Sequence, residues 1–170
     1  MMKKNKIFFI VNALHSKKNK NLKKLIRTKF LSEKYDVNIL ISEYKGHCIK
    51  LAEEAVEKKA NIVVACGGDG TVNEVGQSLI KKPVLLGVIP LGSGNGFARH
   101  FNIPRNLNYA LDIISKNFST TIDVGKINKR FFFSNFGLGV EAKFIEEYSK
   151  IKTRGILGYI ISFFKIISTY

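Results

Sequence analysis

The chain has 170 residues, 45% of them hydrophobic, and a formal net charge of +15. That length allows one full domain, or one domain plus part of another, and the composition excludes a long disordered protein. The basic excess points to an anionic partner: nucleic acid, an anionic membrane surface or a polyphosphate ligand. Residues 1–34 alone hold eleven Lys or Arg and one acid, Glu33. Cys48 and Cys66 lack the spacing of a zinc or redox site, and nothing suggests a secreted disulfide framework.

Ile7 to Val11 is a continuous apolar run, which predicts a strand buried on both faces. It is too short for the apolar region of a signal peptide. A polar, basic loop over 12–21 follows, and then Leu22, Leu25, Ile26 and Phe30 recur at helical spacing. Val37 to Ile41 is a second strand. Gly46-His47 opens a helix with Ile49, Leu51, Ala52, Ala55 and Val56 on one side. The third strand is Ile62 to Cys66, with Cys66 a small core residue. The helix after it starts at about Thr71 and places Val72, Val75, Leu79 and Ile80 on one face. The fourth strand is Val84 to Ile89. A glycine-rich loop from Gly92 to Gly96 leads into two short helices, one with Phe97, Ala98 and Phe101, the other with Leu107, Ala110, Leu111 and Ile114.

This alternation predicts an α/β fold with a parallel sheet covered on both faces. Ligands of such sheets bind beyond the carboxyl ends of the strands. Asn12, Ser42, Gly67–Thr71 and Ser93–Asn95 all follow strands and should converge at one edge.

From about Thr120 the pattern changes. Thr121 to Ile127 and Arg130 to Phe136 read as two strands joined through Asn128-Lys129, and Glu141 to Lys150 and Gly155 to Ser168 read as helices. Two strands make no stable sheet alone. Residues 1–118 are therefore expected to form the α/β domain, and 119–170 the start of a second, β-rich domain that the chain ends too early to close. The apolar segment Ile156 to Ile167 is too short to span a bilayer. The expected location is cytoplasmic, with visits to the inner membrane face.

The run Gly67-Gly68-Asp69-Gly70-Thr71 brings backbone N–H groups close to a phosphate chain. A bare carboxylate would repel phosphate, so Asp69 should hold a metal ion, carry a proton or take one from a substrate. The alternative is a tight strand–helix turn with Asp69 as a cap. The second loop lacks the spacing of a dinucleotide fingerprint, and no P-loop is present. Ser93 and Asn95 can donate hydrogen bonds to phosphate or ribose oxygens. His15, His47 and His100 lack metal-ligand or triad spacing. They read as structural or surface groups, although His15 could approach a phosphate.

Three segments resemble the catalytic domain of the diacylglycerol kinase-like lipid kinases, a group that includes sphingosine and ceramide kinases. They are Cys66 to Val75, Ile89 to Arg99 and Asn135 to Ala142, with Ser42 and Lys45-Gly46-His47 as a weaker fourth. The resemblance implies a nucleotide-binding domain like that of NAD kinases, followed by a β-sandwich-type domain. It implies ATP and Mg2+, and transfer of the γ-phosphate to the hydroxyl of a diacylglycerol or a sphingoid- or ceramide-like lipid. By that resemblance Asn12, Ser42, Gly67, Gly68, Asp69, Gly70, Thr71, Val72, Asn73, Glu74, Ser93 and Asn95 would meet ATP. Asp69 would be the catalytic carboxylate or the organiser of the metal. Gly96 and Glu141 would face the lipid.

The chain departs from the family pattern in its first loop, Asn12-Ala13-Leu14-His15-Ser16, which lacks the usual proline and glycine. Gly96 stands where bacterial diacylglycerol kinases often have aspartate, and the distal domain is missing, so the chain reads as truncated. The expected partner is a lipid at an anionic membrane surface, with a homodimer compatible and no nucleic acid. A non-catalytic pseudokinase that binds ATP or membranes, and a soluble NAD kinase-like enzyme, are the alternative readings.

Overall fold

The computed structural model describes residues 4–14, 21–31, 33–134, 137, 139–151, 153 and 156–167. Its elements run β1 (Asn5–Val11), α1 (Leu22–Lys29), β2 (Tyr35–Ile41), α2 (His47–Glu57), β3 (Ile62–Gly67) and α3 (Asp69–Leu79). They continue with β4 (Leu85–Pro90), α4 (Gly96–His100), α5 (Leu107–Ser115), β5 (Gly125–Ile127), β6 (Arg130–Phe132), α6 (Val140–Lys150) and α7 (Ile156–Ile167).

The four long strands form the expected parallel sheet, in the order β2-β1-β3-β4. The apolar runs at Ile7–Val11 and Ile62–Cys66 make its two central strands, because only there are both faces and both edges covered. On one face Phe8, Ile10, Val63 and Ala65 pack under α2, α3 and α4. On the other, Ile7, Phe9, Val64 and Cys66 pack under α1 and α5. From β1 the chain goes first to β2 on one side, then returns to place β3 on the other. Connections that part in this way open a crevice beyond the strand ends, here between β1 and β3.

Several boundaries differ from the sequence reading. β1 and β2 begin two residues earlier, because Asn5 and Lys6 pair with Tyr35 and Asp36 at the exposed rim of the sheet. α3 starts at Asp69 rather than Thr71, with Gly68 as its N-cap. The antiparallel hairpin turns at Asn128-Lys129 as expected, but its strands are only three residues each. Asn135 and Phe136, the far end of the longer strand expected there, lie outside the described residues, as does His15.

The chain divides into two compact units, Met1–Phe133 and Ser134–Tyr170. The hairpin, expected within 119–170, falls in the first unit. Phe133 lies directly over Gly76 of α3, where an added Cβ would come within 2.5 Å of the ring. In the second unit Tyr159 of α7 stacks on Phe144 and Tyr148 of α6, at 5.7 and 4.5 Å between ring centres. Among the described residues no helix is long and apolar enough to cross a membrane.

Candidate functional site

β3 delivers the chain into Gly67 and Gly68, and α3 starts on the next residue. No side chain caps this helix. Its first-turn N–H groups therefore keep the partial positive charge of a helix start. Gly67 is demanded by packing, since a Cβ there would sit 2.2 Å from Thr71 Oγ1. Thr71 is buried, and its hydroxyl oxygen accepts from the Asn12 amide at 3.4 Å. Asn12 also donates its backbone N–H to the Cys66 carbonyl at 3.1 Å, which bridges the crevice between β1 and β3. Ser42, 3% exposed beyond β2, accepts the Ala13 N–H at 3.3 Å.

The second glycine loop packs against the first. A Cβ on Gly92 would lie 2.6 Å from Gly68 Cα and 2.8 Å from Asn95 Oδ1. Asn95 is 3% exposed and sits in the left-handed region at φ +54°. Its Oδ1 accepts the Gly92 N–H at 2.9 Å, and its Nδ2 donates to the Gly92 carbonyl at 2.7 Å. Asp69 joins the two loops, with Oδ2 accepting from Gly96 N–H and Oδ1 from Phe97 N–H, both at 2.9 Å.

Gly70 stands apart from the other loop glycines. It is exposed, its φ is not positive, and a Cβ there would meet nothing within 4 Å among the described residues. Among the described residues neither packing nor backbone geometry requires glycine at this point.

Residues 6–127 match the family model described as "Diacylglycerol kinase catalytic domain". The chain belongs to the diacylglycerol kinase catalytic domain family. It is 34% identical over 161 residues to a Pectobacterium atrosepticum protein named "Probable lipid kinase YegS-like", covering 92% of this chain and 54% of that one. It is 36% identical over 126 residues to a diacylglycerol kinase of Staphylococcus aureus, covering 73% of this chain and 40% of the relative. A crystal structure of a diacylglycerol kinase from Bacillus anthracis superposes with a TM-score of 0.65 at 28% identity, covering 78% of this chain and 47% of that one. The chain thus spans about half the length of the curated relatives it matches.

Within this diacylglycerol kinase-type domain, Asn12, Ser42, Gly67, Gly68, Asp69, Gly70 and Thr71 are brought together at the carboxyl ends of the strands, as expected. Ser93 and Gly96 are exposed on the second loop beside them. The side chains of three further residues expected to meet ATP have partners within the protein. Asn95 points inward and uses its amide within the loop. The Val72 side chain is buried in the core. Glu74, on the next turn of α3, accepts the Gly46 N–H at 3.2 Å and braces the start of α2. Asn73 gives its carbonyl to Gln77 Nε2 at 3.3 Å. Glu141 lies exposed in the first turn of α6, in the second unit, close to Gly137.

His47 has a structural role, as the sequence suggested. Its Nδ1 accepts the Glu43 N–H at 3.1 Å and its ring stacks on Tyr44. The surroundings of Cys48 were not foreseen from the sequence. It sits buried in the first turn of α2, beside Ser42 and Glu74. Burial raises its thiol from the ordinary 9.0 to about 11, the Ser42 hydrogen bond opposing and the Glu74 charge reinforcing the shift. Burial and the neighbouring Cys48 raise the Cys66 thiol as well. Nothing in the spacing of Ser42, Cys48 and Glu74 signals that they meet.

Proposed function

We propose that these residues form the nucleotide-binding part of an ATP-dependent lipid kinase, which transfers the γ-phosphate to a lipid hydroxyl. Gly70 carries the reading: an exposed glycine that packing among the described residues does not need, on the first turn of a helix with no side-chain cap among them. Phosphate oxygens suit such N–H groups, and the missing side chain lets them approach. Membership of a family whose relatives are named diacylglycerol kinase and lipid kinase supports phosphoryl transfer to a lipid.

Asp69 accepts one N–H on each oxygen, and an ionised carboxylate has lone pairs left for a further partner. Among the described residues no cluster of three His, Cys, Asp or Glu could cage a metal. Magnesium, however, usually takes one or two carboxylates plus substrate phosphates. Asp69 therefore fits a magnesium ion delivered with the nucleotide, which when bound would neutralise phosphate charge. Ser42, Ser93 and the N–H groups of Gly68 to Gly70 would orient the phosphates. Gly96 and Glu141 are proposed to meet the lipid. The net charge of +15 favours approach to an anionic membrane surface.

Transfer of labelled γ-phosphate from Mg-ATP to mixed-lipid vesicles tests this reading. Labelled lipid with the wild-type chain, and none with Asp69→Asn, is the expected result. A chain that fails to bind ATP would sink the proposal.

A further inference from the structure

Glu74 is half-buried on the second turn of α3. The pull of a helix start on an acid fades beyond the first turn, so the dipole of α3 does not account for a carboxylate there. Its Oε1 accepts the Gly46 N–H at 3.2 Å, from 28 residues away in sequence. Gly46 is the N-cap of α2, sits at φ +86°, and has no side chain with which to hold the turn. In a capping box the third helical residue, a Glu or Gln, accepts the N–H of the cap residue. In α2 that position is Ile49, which cannot. Glu74 does this work from the neighbouring helix.

The turn that Gly46 closes begins at Ser42. Ser42 donates its N–H to the Val11 carbonyl at 2.9 Å, and its Oγ accepts the Ala13 N–H at 3.3 Å. Asn12, beside Ala13, donates to Thr71 Oγ1 at 3.4 Å. Within the turn the bonds are local: Glu43 N–H to His47 Nδ1 at 3.1 Å, and His47 N–H to the Tyr44 carbonyl at 3.2 Å. A circuit thus leaves α3 at Glu74, passes through Gly46, Ser42 and Asn12, and returns to α3 at Thr71. Gly70 precedes Glu74 by four residues and so shares its face of the helix. Ser78, four residues after Glu74, also ties α3 to α2, its Oγ donating to the Ile49 carbonyl at 3.2 Å. That bond lies outside the circuit, one turn farther from Gly70.

We propose that Glu74 is a positioning residue for the nucleotide. Through the Gly46 N–H it fixes the turn from Ser42 to Gly46 against the first turn of α3, without touching ATP itself. Its reach does this, and its charge is not required. The inference rests on the proposed kinase reading.

Calorimetric titration of the 170-residue chain with Mg-ATP, alongside hydrogen exchange at Gly46, tests it. Glu74→Ala should weaken ATP binding by about tenfold, the share of one hydrogen bond to a charged group. Its Gly46 amide should exchange about tenfold faster or more. Glu74→Asp keeps the charge but is one methylene short of Gly46, and should behave like Glu74→Ala. Glu74→Gln keeps the reach and an acceptor oxygen, and should stay within about threefold of wild type. Ser78→Ala loses a bond between the same two helices and should leave ATP affinity unchanged. Equal losses in Glu74→Gln and Glu74→Ala would mean that the charge itself acts, and would overturn the proposal. Equal losses in Ser78→Ala and Glu74→Ala would overturn it too, since they mean a general loosening of the helix pair. If Glu74→Ala does not fold, the contrast between Glu74→Asp and Glu74→Gln decides. Wild-type affinity in Glu74→Ala removes this inference alone, whereas a wild-type chain that binds no ATP removes the kinase reading as well.

Discussion

Phe97 donates its backbone N–H to Oδ1 of Asp69, 2.9 Å away, so the acid of the first glycine loop fixes the start of the helix after the second. Asp69→Asn keeps one acceptor oxygen and turns an NH2 toward the other N–H. A hydrogen bond to a charged group contributes about 1.5–3 kcal/mol. Urea unfolding should show the variant less stable by about 2 kcal/mol, one such bond lost. Equal stability would mean that the two loops are not tied through this carboxylate in solution, and that any loss of activity is purely chemical.

Two glycines of the site should respond in opposite ways. Gly92→Ala puts a Cβ against the backbone of Gly68 and should cost about 1–3 kcal/mol, the range for overpacking. Gly70→Ala meets nothing within 4 Å among the described residues and should raise stability by about 0.4–1 kcal/mol through the unfolded state. The same change should lower ATP affinity by about tenfold, because a methyl group then stands where phosphate approaches the helix N–H groups. Thermal melts and calorimetric titration with ATP separate the two effects. A Gly70→Ala protein with wild-type ATP affinity would remove the main support for the proposed function.

The sheet and the meeting of its loops were legible because a both-sides-buried strand leaves an unmistakable run, as at Ile7–Val11 and Ile62–Cys66. Strand beginnings were not, since Lys6 and Asp36 pair at a solvent-facing rim where polar residues suit. Asp69 stood out as an acid between glycines, but its partners Gly96 and Phe97 lie 27 and 28 residues away. The inward turn of Asn95 and the reach of Glu74 to Gly46 share this character. Each depends on distances between segments, which periodicity along the chain does not encode.

Asn95 separates backbone strain from hydrogen bonding. Asn95→Gly loses both bonds to Gly92 but keeps easy access to φ +54°. Asn95→Ala loses the same bonds and adds a left-handed penalty of about 1–2 kcal/mol. Denaturant unfolding should rank wild type above Asn95→Gly, and Asn95→Gly above Asn95→Ala. Indistinguishable Gly and Ala variants would place this residue outside the left-handed region in solution.

The Cys48 thiol makes stability fall in alkali. Its folded value of about 11 exceeds the ordinary 9.0, so the unfolded chain loses this proton first. The stabilisation is fully present below 9.0 and drains away as pH rises toward about 11. Urea midpoints followed across that window should decline more steeply for wild type than for Cys48→Ala. Parallel declines would mean that the thiol is not held neutral by the fold.

The crevice between β1 and β3 owes its existence to the order in which the strands are threaded, and not to any one side chain lining it. Loop letters can therefore be rewritten while the opening survives. The first loop shows this: Asn12-Ala13-Leu14 lacks the proline expected of the family, yet Asn12 still spans from β1 to the Cys66 carbonyl and the Thr71 hydroxyl. Wiring is inherited as a whole, whereas lining is edited one codon at a time. Within such a lineage the address of the ligand should outlast its identity.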